Sequence, residues 1–286
     1  MLTELFNSQV LLGAAQALGA VALCLCVTAL CRYFKVTVGV EAAVSLLRGL
    51  VQMSIVGVLL GLLLKGSLLA AILILMGMVI AAAATASRRL KGMPYAFQIA
   101  LYSIGAGAGI AIVFMIATRS LQTNVAVLVP VGSMIIANSM NACAQAMERF
   151  KSDVVAHVGQ IEAALCLGAD PSVSVAPFVQ SAVYASLLPR LDMLKSLGLV
   201  WIPGVMAGMM VSGASPLYAG IYQFVVVAMI LAASGITGMV VIALMQKHAF
   251  SGAGQLLLRP TLGEKRGPES PLSRFASYFR TDGKAR

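Results

Sequence analysis

Long stretches without a charged side chain constrain the fold of this chain more than any other feature. Three of them lie between Lys65 and Arg88, between Lys91 and Arg119, and between Arg119 and Glu148. Each is long enough for an α-helix to cross the hydrocarbon core of a bilayer, which takes about 20 apolar residues. Only 10% of the 286 residues are charged and 60% are apolar, whereas soluble domains carry about 25% charged residues. The sequence therefore predicts an all-α fold, a polytopic membrane helical bundle.

Hydropathy divides the chain into about seven predicted transmembrane helices and a tail. The predicted spans cover approximately residues 10–31, 43–64, 68–86, 95–117, 124–145, 194–211 and 218–245. Residues 1–246 form the predicted membrane domain. Residues 247–286 are basic and rich in Gly, Pro and Ser, a composition that predicts a disordered cytoplasmic tail.

The net charge of +10 predicts how the chain is oriented. When seven spans alternate across the bilayer, nearly all Lys and Arg residues fall on one side, and only Lys65 and Arg119 fall on the other. Basic loops stay in the cytoplasm, so the N-terminus is predicted to lie outside and the C-terminus inside. We expect a multi-pass protein of the cell (inner) membrane, whose positive charge reflects its place in the lipid bilayer and requires no nucleic-acid partner.

Sequence motifs for catalysis and for ATP binding are absent from the chain. It contains neither a GxxxxGK[ST] phosphate-binding loop nor an HExxH zinc motif. Its two histidines, His157 and His248, lie outside the predicted spans, and its five cysteines lack the spacing of a zinc site or a disulfide framework. The sequence therefore predicts no enzymatic activity and no cofactor in this chain, and it identifies no metal ligands.

One face of the fifth predicted span carries polar side chains. Met134, Asn138, Asn141 and Gln145 follow one another at i, i+4, i+7 and i+11, which places them on one side of a helix. Together with Met206 of the sixth span, they are candidates for the lining of a translocation path. Two alternatives stay open: interhelical hydrogen bonding by the amides and packing by the methionines.

A polar segment, Ala146–Arg190, follows the fifth span. Apolar residues recur at helical spacing in its first half, as expected of an amphipathic helix: Val154, Val155, Val158, Ile161 and Leu165. Gly168 suits the position after a helix end, Asp170 an N-cap and Pro171 the first position of a second helix, which runs to about Leu188. The pattern predicts a helix–turn–helix elbow in the cytoplasm that serves as a docking element; a plain connecting loop is the alternative.

Several motifs along the chain resemble those of one known protein family. Residues 162–169 read EAALCLGA, which resembles the EAA…G motif by which a permease docks on a separate ATPase. Further matches are Arg48 and Gln52, Pro130 and Gly132, Pro189 with Asp192 and Lys195, Pro203 with Gly204, and Tyr222 with Gln223. In combination they resemble the iron-export (Fet-type) permease family, formerly an uncharacterised protein family, which has plant relatives linked to aluminium tolerance.

The resemblance implies a function for the whole chain. It implies the permease subunit of an ABC transporter, paired as a homodimer and driven by ATP bound to a separate ATPase subunit. The coupling residues would be Glu162, Gly168, Ala169, Asp170 and Pro171, and the expected cargo is exported iron or another metal. A nucleotide sugar or another solute, an ATP-independent carrier or channel, and a membrane scaffold without transport stay open as alternatives.

Overall fold

The computed structural model describes residues 2–33, 39–63, 68–89, 95–121, 123–251 and 255–258. Within these ranges the chain forms ten α-helices, and the predicted all-α fold class is confirmed. They are α1 (Leu2–Tyr33), α2 (Gly39–Leu63), α3 (Leu68–Ser87), α4 (Ala96–Ala117), α5 (Val125–Ala156), α6 (Val158–Cys166), α7 (Pro171–Ser174), α8 (Ala176–Ser196), α9 (Gly204–Val211) and α10 (Pro216–Ala249). The tail predicted beyond residue 258 lies outside the described residues.

The first two helices form a unit of their own. The chain divides between Ser67 and Leu68, and α1 and α2 pack on each other within the first unit. Their apolar sections are Gln16–Cys31 and Val44–Gly57, inside the first two predicted spans. Both Arg48 and Gln52 are exposed on α2, one helical turn apart.

The second unit is built around α10. This helix packs against α4, α5, α8 and α9, and α3 packs against α4 and α5. The backbones of α4 and α10 approach closely at Gly107, where a Cβ atom would lie 2.6 Å from the Ala233 carbonyl oxygen of α10 and would collide with the Thr237 hydroxyl. Small residues allow such close helix packing in lipid, where there is little hydrophobic drive to bring helices together.

Four of the described helices are long and apolar enough to cross a bilayer. They are α3, α4, α5 and α10, which confirms helices at the third, fourth, fifth and seventh predicted spans. The total of seven spans and the orientation of the termini stay predictions. At 32 residues, α5 continues past the predicted end of its span into the polar segment.

The predicted sixth span, residues 194–211, is wrong as a single helix. The α8 helix ends at Ser196, and α9 begins only at Gly204. Between them Gly198 has a φ of +77°, a left-handed conformation that glycine adopts without steric cost. Pro203 then precedes α9 and lacks the N–H that a continuous helix would need. The region is apolar as predicted, but its helix is interrupted between Ser196 and Gly204.

The predicted second helix of the elbow extends much further than expected. The α8 helix runs antiparallel to α5, as two hydrogen bonds show. Arg149 Nε donates to Ser181 Oγ at 3.2 Å near one end, and Arg190 Nη2 donates to the Asn138 carbonyl at 3.0 Å near the other. Arg190, the last residue of the segment that was predicted to be cytoplasmic, therefore lies beside the polar face of the fifth span.

Candidate functional site

The turn at the end of α6 has the geometry that its sequence predicts. Gly168 has a φ of +86°, and its N–H donates to the Leu165 carbonyl at 3.0 Å. The next N–H, of Ala169, reaches back to the Ala164 carbonyl at 3.0 Å. This pair of bonds is a Schellman motif, which satisfies the last carbonyls of a helix and needs a left-handed residue at its C′ position. The predicted position of Gly168 is confirmed.

The second helix of the elbow also begins where predicted, but it is split. Asp170 occupies the N-cap of α7 and Pro171 its first turn, although the Asp170 side chain makes no capping hydrogen bond. The Asp170 carbonyl accepts from the N–H groups of Val173 and Ser174, both at 3.0 Å. After four residues α7 ends at Ser174, and α8 starts at Ala176, after the single residue Val175.

The base of the elbow is a packed joint. His157 interrupts the predicted amphipathic helix and separates α5 from α6. Its ring stacks on Phe178 with 4.9 Å between ring centroids, and its Nδ1 lies 2.8 Å from the Asp153 carbonyl. The apolar residues buried around this joint are Val154, Ile161 and Val175. Because these contacts join α5, α6 and α8, a force on the elbow reaches two long helices.

The tip of the elbow is exposed and carries large apolar side chains. Leu167 is 88% exposed and Val173 is 64% exposed, and Gly168 and Asp170 are exposed between them. Glu162 is half-buried on α6, further from the tip. Leu167 and Val173 are therefore accessible to a partner protein at the tip of the elbow.

The elbow is attached to the C-terminal end of α10. Gln246 Nε2 donates to the Ser172 carbonyl at 3.2 Å, across 74 residues of chain. An open cavity of about 430 Å³ lies beside this bond, lined by Pro171, Ser172, Ala243, Gln246, Lys247 and Phe250. Since α10 contacts four other helices, this bond links the elbow to the centre of the second unit.

The four polar-face residues of α5 lie together as predicted, and the face is open to the surroundings. Asn141 is exposed, and Met134, Asn138 and Gln145 are half-buried. Asn138 Nδ2 donates to the Met134 carbonyl at 2.9 Å. The side-chain amide of Asn141 therefore lies outside the packed core of its own unit. Where the face meets α8, an open cavity of about 310 Å³ is lined by Gln145, Glu148, Arg149, Ser152 and Ala185.

Met206 occupies a different part of the unit. It lies on α9, which packs against α10, and its Cε lies 3.7 Å from where a Cβ on Gly220 would be. The structure thus groups Met134, Asn138, Asn141 and Gln145 on α5 and places Met206 against the start of α10.

Sequence reasoning missed the buried arginine. Arg190 is 5% exposed, and its Nε has no hydrogen-bond partner among the described residues. Arg190 lies four residues after Ser186, which is also buried. This helical spacing is the sequence signal that could have placed both side chains on the buried face of α8. Other side chains in the described part share this combination of burial and an unpartnered polar atom: Ser139, Gln223, Ser234 and Thr237. Polar groups inside a membrane protein are costly, and they typically mark a functional path.

The remaining motif residues have varied surroundings. Gly132 is buried, and a Cβ there would lie 2.8 Å from Leu75 Cδ2 of α3. Asp192 and Lys195 are exposed on α8 and form an ion pair of 3.5 Å. Pro130 and Pro189 lie within α5 and α8 and are exposed. Pro203 is buried and the next residue, Gly204, is exposed; Tyr222 is half-buried and Gln223 is buried. No three His, Cys, Asp or Glu side chains come together in the described ranges.

Comparison with known proteins identifies relatives over most of the chain. It is 32% identical over 217 residues to the UPF0014 membrane protein STAR2 of Oryza sativa subsp. japonica, which covers 76% of each chain. It is 30% identical over 220 residues to the protein ALUMINUM SENSITIVE 3 of Arabidopsis thaliana, covering 76% of this chain and 80% of that one. It is 29% identical over 177 residues to the probable iron export permease protein FetB of Escherichia coli (strain K12), covering 62% and 68%. No solved structure matches the chain.

The family is the one that the motifs predicted. Residues 14–250 match the uncharacterised protein family UPF0014, and this range contains the elbow, the polar face of α5 and every motif residue. Its relatives are named as membrane proteins and, in one case, as a permease, in agreement with the apolar helices of the fold. This chain is therefore a multi-pass membrane protein of the UPF0014 family.

Proposed function

We propose that the chain is the permease subunit of an ABC transporter and that a separate ATPase docks on the elbow. The observation that carries this proposal is the elbow itself: an exposed apolar tip at Leu167 and Val173, hydrogen-bonded to the end of the central helix through Gln246. The relative named as a probable iron export permease supports the same function. ATP binds to the partner subunit, and this chain supplies the membrane path.

Coupling follows the contacts of the elbow. Opening and closing of the ATPase moves the tip, and the Schellman turn at Gly168 keeps the two arms of the elbow at a fixed angle. One arm continues through α8 to Arg190, which is bonded to the Asn138 carbonyl on α5. The other connection runs through Ser172 and Gln246 to α10. The ATPase can shift the membrane helices from one conformation to another only if it binds the two conformations with different affinity.

The path lies between two copies of the permease. Asn141 is exposed on a helix that is otherwise apolar enough to span a bilayer, and an amide facing lipid would lose its hydrogen bonds to water. In a homodimer the polar face of α5, from Met134 to Gln145, would turn toward the interface and line the path. Met206 lies on α9, which packs against α10, so it does not belong to this face, and a place for Met206 on the path stays a prediction.

Iron, or another metal, moved outward is the first candidate cargo, because that is the cargo in the name of the bacterial relative. A nucleotide sugar or another anionic solute is the second candidate. Arg190 favours an anionic cargo, because its buried side chain in the described part of the bundle carries a positive charge that attracts an anion. Uptake into vesicles that contain the permease and its ATPase would separate the two, with radiolabelled iron and a nucleotide sugar supplied in turn.

The elbow assignment is tested by replacing Gly168 with Val. The φ of +86° is strained for a β-branched residue, so the turn should deform. We expect normal membrane insertion and normal ATP hydrolysis by the ATPase alone, but loss of permease-dependent transport in reconstituted vesicles.

The matched control is Gly159→Val in α6, the helix that precedes the turn. Gly159 has open space around it and no left-handed φ, so transport should persist in this variant. Transport by Gly168→Val at the level of Gly159→Val would contradict the coupling role of the elbow.

A further inference from the structure

Three buried polar side chains lie where α5, α8 and α10 meet. Arg190 of α8 is 5% exposed, and Ser139 of α5 and Ser234 of α10 are fully buried. Each of these helices packs against the other two, and α5 and α10 are long and apolar enough to cross a bilayer. We name the three residues the interior polar cluster, because they lie inside the second unit.

A hydrogen bond places Arg190 against the part of α5 that carries Ser139. Arg190 Nη2 donates to the Asn138 carbonyl at 3.0 Å. This carbonyl belongs to the peptide group that joins Asn138 to Ser139. The guanidinium of α8 therefore reaches α5 at the level of Ser139.

Contacts between α8 and α10 give the register of these two helices. A Cβ atom on Gly238 would lie 2.9 Å from Ser186 Oγ, and one on Gly235 would lie 3.8 Å from Leu187 Cδ2. The residue number on α10 falls as the number on α8 rises, so the two helices run antiparallel, with Ser186 facing Gly238.

This register brings Ser234 opposite Arg190. Ser234 is four residues before Gly238, so it lies one turn away on the same face of α10. Arg190 is four residues after Ser186 and lies on the same face of α8. In an antiparallel pair, one turn forward on one helix matches one turn back on the other. Ser234 and Arg190 consequently lie at one level, on faces that meet.

The cluster offers hydrogen-bond donors that have no acceptor. Arg190 Nε and the hydroxyls of Ser139 and Ser234 have no partner among the described residues. Another buried serine, Ser103, instead donates to the Ile99 carbonyl of its own helix at 2.7 Å. A guanidinium only donates, and even if a hydroxyl accepts from it, the hydroxyl proton still needs an acceptor. The cluster is therefore rich in donors and poor in acceptors.

The positive charge of Arg190 also lacks a counter-charge. In the part of the chain that the structure describes, the ion pairs join Glu148, Asp153 and Asp192 to other basic side chains. A charge inside a membrane protein is costly unless it is paired. A metal cation would be repelled by the guanidinium, whereas an anion supplies both the negative charge and the acceptors.

Donors on three helices favour an anion with several oxygen atoms. The planar guanidinium matches the oxygen atoms of a carboxylate or a phosphate group. Further oxygen atoms can accept from the two serine hydroxyls on the neighbouring helices. A halide presents a single atom and matches this distribution of donors less well.

We propose that the interior polar cluster is a binding site for an oxyanion, a carboxylate or phosphate group that is free or part of a larger solute. Arg190 supplies the charge, and Ser139 and Ser234 donate hydrogen bonds. The role of this site in transport rests on the proposed function: α8 continues the elbow and α10 is bonded to it through Gln246. Movement of the elbow would therefore change the spacing of the donors and the affinity for the oxyanion.

Thermal unfolding of the purified permease with added inorganic phosphate tests the site. A ligand that binds only the folded protein stabilises it, so phosphate should raise the melting temperature until the site is saturated. Chloride at the same ionic strength should not. Arg190→Met should abolish the response. Ser139→Ala and Ser234→Ala should each raise the half-saturating phosphate concentration about tenfold or more, because each loses a hydrogen bond to a charged group.

Two control variants match these changes outside the cluster. Ser103→Ala removes a buried hydroxyl that is bonded within its own helix. Arg89→Met removes an exposed arginine from a surface ion pair. Both variants should keep the phosphate response of the unaltered protein. If Arg190→Met does not fold, Ser139→Ala and Ser234→Ala carry the test, because they leave the charge in place.

Acetate and glucose 6-phosphate distinguish the sources of the oxyanion. The first presents a carboxylate, and the second a phosphate carried by a larger solute, so the strongest response that depends on Arg190 identifies the group. No such response to phosphate, acetate or glucose 6-phosphate, or an equal response to chloride, would overturn the proposal. Binding is measured without the ATPase: oxyanion binding without ATP-driven transport would refute only the permease function, and transport without oxyanion binding only this site.

Discussion

Among the charged residues that the structure describes, Arg190 has its side chain buried in the helical bundle. It is 5% exposed, it donates one hydrogen bond to the Asn138 carbonyl, and no carboxylate forms an ion pair with it among the described residues. A buried charge without a counter-charge lowers stability. A residue that costs stability in this way is typical of a functional position.

Replacing Arg190 with Met tests this interpretation. The variant loses the bond to Asn138, about 0.6 kcal/mol in a membrane protein, but removes a buried charge whose desolvation costs more. We expect the melting temperature of the purified protein to rise by a few degrees while transport falls. Arg89→Met is the control, because Arg89 is exposed and a surface ion pair contributes about 0–1 kcal/mol. A lower melting temperature for Arg190→Met would assign Arg190 a structural role instead.

At the scale of helices, length and interruption determine how the elbow is held. The α5 and α10 helices have 32 and 34 residues, about 48 and 51 Å, which exceeds the ~30 Å hydrocarbon core. Both therefore extend beyond the bilayer at their C-terminal ends, where α6 and α7 connect to them. The breaks at His157 and Val175 separate the elbow from α5 and from α8.

The link between elbow and α10 can be removed with one substitution. Gln246→Ala eliminates the hydrogen bond to the Ser172 carbonyl and leaves the turn at Gly168 unchanged. We expect the number of solute molecules moved per ATP hydrolysed to fall about two- to fivefold, because one bond of roughly 0.5–1 kcal/mol is lost. Gln160→Ala, at an exposed position on α6, should leave that ratio unchanged. An unaltered ratio in Gln246→Ala would exclude α10 from the coupling route.

At the scale of the whole molecule, orientation determines which side the elbow reaches. Positive residues predict that the C-terminus and the elbow lie in the cytoplasm. Placing Arg190 inside the bundle changes that predicted distribution little, because Arg88, Arg89, Arg149 and Lys151 remain on the same side.

Cysteine labelling measures this orientation directly. Cys166 is exposed near the tip of the elbow, so a membrane-impermeant maleimide should label it in inverted vesicles and leave it unlabelled in intact cells. A cysteine introduced at Thr118, in the turn that carries Arg119, should show the opposite pattern. Labelling of Cys166 from outside intact cells would contradict the predicted topology, because the elbow would then lie on the side of the membrane opposite to the ATPase.

Much of the fold and of the elbow could be predicted because it depends on a few consecutive residues. Apolar length predicted α3, α4, α5 and α10, and the order of Gly168, Asp170 and Pro171 predicted a left-handed turn followed by a helix start. The sixth span failed because a hydropathy average over residues 194–211 registers apolar side chains and is insensitive to the left-handed backbone at Gly198.

The sequence by itself determined that this chain resides in a membrane, which family it resembles and where its elbow turns, since each of these depends on local composition or spacing. Only the tertiary structure decided that Arg190 is buried against Asn138 and that Gln246 holds the elbow. These facts depend on which helix packs opposite which. Hydropathy and periodicity describe one helix at a time and carry no information about its neighbour.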